Sequence, residues 1–384
     1  MIQINNTFRT EFSKIGKMTS MENLKDSDSR HISVIILNWN GWRDTLECLE
    51  SVFQTTYNDY SVILVDNGSS DDSLQKIRDY CQGLIEIQSP FISYTLENKP
   101  VHLVELDEEL PEKSDIRGLQ ENGGRKLFLV KNKKNYGYAK GNNIGIRAAL
   151  KFFNPGYILI LNNDIIAHEA TLFSHLVEGV NRDGSAGLVS PVLHSCSGEI
   201  QRVCTRNFPE FLDYLFIYSF LGQKIFPNNR RREKHFNLSY TFDKARQFDV
   251  LGGSCLLFKS EALTRIGLFD ENTFLYWEEF IIGKKLQLLG INSFILPDTS
   301  VIHKGEVTIN NLNLKSWARF WSTQSELYYI NTYAPLTRVK RSIVIIVLLI
   351  EAVLGWGISV FSKGIKKFDS ICEKKIVKFL LKSF

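Results

Sequence analysis

Apolar residues along the chain fall into short unbroken runs separated by stretches of helical period. Ile32-Ser-Val-Ile-Ile-Leu37, Ser61-Val-Ile-Leu-Val65, Lys126-Leu-Phe-Leu-Val130 and Tyr157-Ile-Leu-Ile-Leu161 have strand length and lack in/out polar alternation. Such runs predict strands covered on both faces. Between them, Leu46, Leu49, Val52 and Phe53 share one helical face opened by Asp44, and Leu74 and Ile77 follow Asp71 and Asp72, acidic residues suited to a first helical turn. Ile144, Ala148 and Leu150 follow a glycine-rich turn. Strand–loop–helix units in succession predict an α/β fold with a mostly parallel sheet flanked by helices.

The second half continues the pattern. Leu172, Leu176 and Val177 predict a helix, and Ala186–Val192 a strand. Phe248–Val250 and Ser254–Phe258 read as strands around Gly252-Gly253, with Ser260 as the N-cap of a helix reaching Ile266. A helix over Phe280–Leu289, stopped by Gly290, precedes a last strand at Ile291–Leu296.

The rhythm breaks in three places. Residues 88–124 are acidic and punctuated by Pro100 and Pro111; they read as an inserted surface excursion, a solvated acidic loop with room for a short strand at Val101–Val104. Residues 205–245 hold the aromatic stretch Phe208–Phe226 and then Arg230-Arg-Arg232. That pairing suits either a helix lying in a bilayer interface or a core helix followed by a solvated basic loop. In the tail, Ser342–Phe361 carries one charge, Glu351, and basic residues flank both ends. The length could just span a bilayer, but Glu351 is costly there, so a tilted or interfacial helix and a soluble closing helix fit as well. Because Val344–Leu349 is apolar on every side, membrane attachment is the expectation for 311–384.

Composition narrows the classes. A net charge of +4 over 384 residues does not argue for nucleic acid. Six cysteines without CxxC or zinc spacing point to a reducing compartment. The first 30 residues are polar and read as a flexible lead without a signal-peptide h-region. Neither GxGxxG nor GxxxxGK[ST] occurs, so a dinucleotide fold or P-loop is not supported.

Polar residues gather where strands enter helices: Asn38 and Asn40, Asp66 and Asn67, and Asn162-Asn163-Asp164. Ligands of open α/β sheets collect at such carboxyl ends. Glu278-Glu279 follows an aromatic run at a helix start. The plainer readings are Asx-turns for the asparagines and helix-dipole charges for the glutamates.

Together, Val34-Ile-Ile-Leu-Asn-Trp-Asn-Gly41, Val65-Asp-Asn-Gly-Ser-Ser-Asp71, Asn135-Tyr-Gly-Tyr-Ala-Lys-Gly-Asn-Asn-Ile-Gly145, Leu161-Asn-Asn-Asp164, Gly252-Gly-Ser-Cys-Leu-Leu257, Gly267-Leu-Phe-Asp-Glu-Asn-Thr-Phe-Leu-Tyr-Trp-Glu-Glu279 and His303-Lys-Gly305 resemble, in this order, the family 2 glycosyltransferases, and within them the rhamnosyltransferase-like branch. The resemblance covers Ile32 to Gly305. It implies a GT-A-type, Rossmann-like domain over 31–310 that moves a sugar, with inversion, from a nucleotide-diphosphate donor to a lipid-linked or polysaccharide acceptor. It implies that Asn38, Asn40, Asp66 and Asn67 hold base and ribose, and that Asn135, Gly137, Lys140, Asn143 and Asn163 line the nucleotide-sugar pocket. Asp164 and His303 match the positions that hold a divalent metal, Mg2+ or Mn2+, and Glu279, preceded by Glu278, matches the base. The implied location is the cytoplasmic face of the cell membrane, peripheral or by a single C-terminal anchor, with no nucleic-acid partner. Two departures are visible. Glu-Glu replaces the usual Glu-Asp, and Ile281 stands where the family often has another Asp. These leave open a non-catalytic nucleotide-sugar-binding or scaffold protein of the same fold. A nucleotidyltransferase is disfavoured, because no basic glycine-rich loop follows the first strand.

Overall fold

The computed structural model describes residues 29–113, 125–305, 314–361 and 367–382. The lead 1–28 and the end of the excursion, 114–124, lie outside them. The strands are β1 Ile32–Asn38, β2 Tyr60–Asp66, β3 His102–Asp107, β4 Lys126–Lys131, β5 Tyr157–Asn162, β6 Ile165–Ile166, β7 Ala186–His194, β8 Thr205–Arg206, β9 Arg246–Gln247, β10 Val250–Leu251, β11 Cys255–Lys259 and β12 Asn292–His303. The main sheet runs β3-β4-β2-β1-β5-β11-β7-β12-β6, and β9 pairs with β12. From β3 to β5 all pairings are parallel. β11 enters antiparallel between β5 and β7.

The apolar runs form the buried middle of this sheet. Ile32, Val34, Ile35, Ile36, Val62, Ile63, Leu64 and Val65 are fully buried, as are Ile158, Leu159 and Ile160. The longer helices are α1 Trp42–Val52, α2 Ser73–Cys81, α3 Tyr138–Phe152, α4 Leu172–Asn181, α5 Glu278–Leu288, α6 Lys315–Thr332, α7 Arg338–Phe361 and α8 Lys367–Leu381.

The structure amends several expectations. The excursion is not simply a solvated loop. It supplies β3 as an edge strand and sends Lys99 inward, 2.8 Å from Glu50 of α1, with both side chains buried. Helix Ser260–Arg265 has Lys259 at its N-cap position with no side-chain capping hydrogen bond, and the Ser260 hydroxyl is buried without a partner. The last strand does not stop at Leu296. It shifts register between Leu296 and Ser300 and runs on to His303. That continuation pairs His303 with Ile165, which brings the strand end beside Asp164.

A second apolar cluster joins α5 to the C-terminal helices. Trp277, Phe280 and Ile281 pack with Tyr214, Tyr329, Val344, Ile345, Leu348 and Ala352. Part of the aromatic stretch is therefore core, since Tyr214 and Ile217 are buried, while Phe220, Ile225 and Phe226 are exposed. The basic cluster is partly neutralised, because Arg231 pairs with Asp213 at 2.6 Å and with Glu210 at 2.7 Å.

Among the described residues, no helix is long and apolar enough to cross a membrane. Glu351 instead turns inward, where its Oε1 accepts the Leu221 N–H at 2.7 Å and the residue is buried. The spanning anchor is thus not supported, and one apolar face of α7, with Val344, Ile345, Leu348 and Ala352, packs against the protein. Its other face leaves Ile343, Ile346, Ile350, Val353 and Leu354 exposed.

Candidate active site

The ends of β1, β2 and β5 and the start of α5 surround one cavity of about 330 Å³. Trp39, Asn67, Asn135, Gly137, Tyr138, Asn162, Asn163, Asp164, Glu278, Glu279 and His303 line it, with Trp321 reaching in from α6. Carboxylates distant in the chain thus face a common space.

The nucleotide side is built from interlocked amides. Asn67 donates through Nδ2 to the Asn135 Oδ1 at 2.9 Å and to the Gly137 carbonyl at 3.1 Å. Its Oδ1 accepts from Asn132 Nδ2 at 2.9 Å. Gly137 has φ +83, and a Cβ there would lie 2.4 Å from the Phe274 carbonyl oxygen, so a side chain at this position is excluded on both counts. The Tyr138 hydroxyl lies 3.0 Å from both Asn162 Oδ1 and the Gly253 carbonyl, tying the wall together.

Asn38 and Asp66 are placed differently from the implied contact role. Asn38 Nδ2 donates to Asp66 Oδ1 at 2.7 Å, and Asp66 also accepts the Ser69 N–H at 3.0 Å and the Ser69 hydroxyl at 2.6 Å. Asp66 is 2% exposed and Asn38 is fully buried. They lie beneath the cavity lining and fix the loop after β2. Asn40 caps that loop, its Oδ1 accepting from Ser70 N–H at 2.8 Å. Asn143 is buried and donates to the Phe269 carbonyl at 3.0 Å, so it joins α3 to the segment before α5. Lys140 lies over the Tyr136 ring at 4.5 Å, outside the lining. Asn163 stands in the lining, donating to Thr45 Oγ1 at 3.0 Å.

Asp164 and His303 form the metal-side corner. His303 Nε2 lies 3.4 Å from Asp164 Oδ2 and 3.3 Å from Ser254 Oγ. His303 Nδ1 lies 2.6 Å from Gln201 Oε1. That amide oxygen can only accept, which assigns a proton to Nδ1; in the neutral ring Nε2 then turns its lone pair toward Asp164. Asp164 Oδ1 is buried without a hydrogen-bond partner. An orphaned carboxylate oxygen beside an oriented imidazole fits a divalent cation. No group of three or more His, Cys, Asp or Glu able to hold a metal occurs among the described residues, so further positions would fall to substrate oxygens and water.

Glu278 and Glu279 open α5 after two consecutive left-handed residues, Tyr276 and Trp277, each at φ 70. Such conformations cost about 1–3 kcal/mol for non-glycine residues and persist only where packing enforces them. Here Trp277 stacks 6.2 Å from Tyr214 at 9° and lies 4.8 Å from Phe280. The strained turn separates the fates of the two carboxyls. Glu278 is buried, and burial first and the neighbouring Glu279 charge second raise its pKa to about 8. Glu279 remains partly exposed to the cavity, 3.7 Å from Arg206. Gly253 leaves it room, since a Cβ there would lie 2.7 Å from Glu279 Oε1. Two carboxyls in contrasting environments is the pattern of divided proton roles. Ile281 is fully buried in the second cluster, where an Asp would be an unpaired buried charge.

Sequence reasoning missed Arg206, Tyr138, Trp39 and Trp321. Arg206 and Trp321 arrive from a two-residue strand and from α6, segments with no motif of their own. Tyr138 and Trp39 sit inside quoted motifs, but nothing in the pattern told a lining ring from a core one.

Residues 33–103 fit the family described as Glycosyl transferase family 2. The rhamnosyltransferase WbbL of Escherichia coli K12 is 26% identical over 198 residues, 51% of this chain and 70% of that protein. The N-acetylglucosaminyl-diphospho-decaprenol L-rhamnosyltransferase of Mycobacterium tuberculosis is 40% identical over 53 residues, 14% of this chain and 17% of that protein. Among solved structures, a mannosyltransferase from Pyrobaculum calidifontis in complex with GDP-Man and Mn2+ aligns at a TM-score of 0.44 and 12% identity, covering 97% of this chain and 93% of that one.

Proposed function

We propose that this chain, a glycosyltransferase similar to family 2 and to its rhamnosyltransferase-like branch, is an inverting enzyme moving a sugar, such as rhamnose, from a nucleotide diphosphate to a lipid-linked or polysaccharide acceptor. The observation that carries this reading is the shared cavity of Asp164, His303 and Glu279. The Asn67–Asn135 lattice and the loop fixed by Asn38 and Asp66 hold the nucleotide side. The acceptor hydroxyl enters beside Glu279, which takes its proton as the oxygen bonds to the anomeric carbon. The bond from that carbon to the phosphate oxygen breaks on the opposite face, and the electron pair leaves with the nucleoside diphosphate. Glu278, protonated near neutrality, does not compete for the proton. Asp164 and His303 would hold the divalent cation, whose chemistry when bound is to stabilise negative charge growing on a leaving diphosphate.

The test is transfer, or donor hydrolysis, with added manganese. Asp164→Ala is expected to lower the rate at least about a hundredfold, in the range of lost electrostatic stabilisation, and to need far more manganese for half-maximal rate. Equal rates and equal metal dependence in wild type and variant would refute the assignment.

We also propose that the exposed row Ile343, Ile346, Ile350, Val353 and Leu354 rests on the cytoplasmic face of the cell membrane as a peripheral contact. The full chain is expected to float with anionic liposomes, and an Ile346→Lys/Ile350→Lys variant to stay at the bottom of the gradient with an unchanged melting temperature. Equal flotation of the two would defeat this placement.

A further inference from the structure

The cleft continues beyond Glu279. A second cavity of about 430 Å³ shares Arg206, Tyr276 and Glu279 with the first, and Lys315 and Arg319 of α6 complete its charged lining. Lys315 and Arg319 are four residues apart and so share a helix face. Lys315 makes no ion pair among the described residues, and Arg319 is held on one side by Glu373 at 2.6 Å. Arg206 is the most telling of the three. Its side chain is 13% exposed, its guanidinium sits 4.6 Å over the Phe280 ring, and its Nε is buried without a hydrogen-bond partner. Glu279, at 3.7 Å, is within ion-pair range but beyond a hydrogen bond. A nearly buried guanidinium with an unmet donor is costly unless a ligand completes it.

A neutral glycan cannot repay the desolvation of such cations, whereas a phosphoryl group can, through charge-assisted hydrogen bonds. We propose that this second cavity is the acceptor subsite for a phosphate or diphosphate, carried on the acceptor sugar whose hydroxyl faces Glu279 and seated among Arg206, Lys315 and Arg319. The proposal rests on the sugar-transfer reading for the position of the acceptor hydroxyl, and on Arg206, Lys315 and Arg319 for the phosphate.

The test uses the full chain in two measurements. In the first, inorganic pyrophosphate is titrated calorimetrically in EDTA, which keeps it from joining a metal at Asp164. Saturable binding is expected, weakened at least tenfold in Lys315→Glu and in Arg319→Glu. It should be retained in Asp164→Ala and in Arg265→Glu, the latter matching the loss of charge far from the cavity. Anionic vesicles should not compete, which separates an acceptor phosphate from a lipid headgroup. Equal affinity in all variants, loss confined to Asp164→Ala, or displacement by vesicles would each overturn the proposal. In the second, one acceptor sugar is supplied either as a short-tailed alkyl diphosphate or as the neutral alkyl glycoside. The diphosphate is expected to have at least thirtyfold higher kcat/KM, and Lys315→Ala/Arg319→Ala should reduce that preference below threefold. Equal kcat/KM in the wild type overturns the subsite while leaving sugar transfer intact. Pyrophosphate binding with no transfer to either acceptor keeps the anion site and sinks its role in sugar transfer.

Discussion

Replacing Glu279 by Gln is expected to lower kcat for transfer by about 10²- to 10⁴-fold, the usual contribution of a positioned base, while nucleotide binding, which other residues provide, stays near wild type. The amide keeps the size and the hydrogen bonds but cannot take a proton. The neighbouring substitution separates a base from a mere pair of helix-end charges. Glu278→Gln should retain kcat to within about tenfold, because burial and the Glu279 charge already hold Glu278 protonated near neutrality, at a pKa of about 8. Its effect should appear in stability instead. The folded protein keeps a proton that the unfolded chain has released, so this group makes stability fall as pH rises from the ordinary carboxylate range toward 8. Glu278→Gln removes that slope, and its melting temperature should exceed wild type by more at pH 8 than at pH 5. Steady-state kinetics and a pH series of thermal melts check both halves. Equal loss of kcat in the two variants would remove the division of roles.

The second large effect is on folding. Glu50 is fully buried, and Lys99 Nζ reaches its Oε2 at 2.8 Å while the Tyr80 hydroxyl donates to the same oxygen at 2.7 Å. Asn98 Nδ2 and the Thr95 N–H each reach Oε1 at 3.3 Å. Burial alone would push the Glu50 carboxyl up, but the hydrogen bonds from Lys99, Tyr80 and Asn98 outweigh it and hold the pKa below its usual value. Lys99→Met should cost about 3–5 kcal/mol, the range for stranding one member of a buried pair, read by urea denaturation at pH 7. Lys99→Met/Glu50→Leu should recover much of that loss, since no buried charge is left. The sign with pH follows from the lowered pKa. The contribution of Glu50 is present above the unfolded carboxyl range and is lost as pH falls through the folded value. Wild type should therefore lose more stability than the double variant below about pH 4.5. A Lys99→Met protein as stable as wild type would show that the excursion is not anchored there.

The fold was legible where burial is uniform. β1, β2, β4 and β5 are covered on both faces, so their apolar runs needed no tertiary knowledge to be read. The second half of β12 was not legible, because Pro297, Asp298 and Thr299 interrupt its pattern and only pairing with β7 and β6 keeps it extended. The site divides in the same way. Asp164, Asn163, Asn135, Glu279 and His303 sit at element ends, where a local pattern announces them. The inward turn of Asp66 was hidden, because its partner Asn38 lies 28 residues away and only the pairing of β1 with β2 brings the two together. Glu50 reads as an ordinary helix charge until Lys99 is seen to arrive from the excursion. Ile281 looked like a lost carboxylate, yet in the structure it is one of the residues that seat the C-terminal helices.

That seating has a bearing on protein engineering. Val344, Ile345, Leu348 and Ala352 belong to the same apolar cluster as Phe280 and Ile281 of α5, the helix opened by Glu278 and Glu279. A chain shortened after Tyr333, the natural choice for a more soluble preparation, would take these four buried residues out of the cluster and weaken the packing around the turn that holds Tyr276 and Trp277 in their left-handed shape. Silence from such a trimmed protein in an assay would report a collapsed scaffold and reveal little about chemistry.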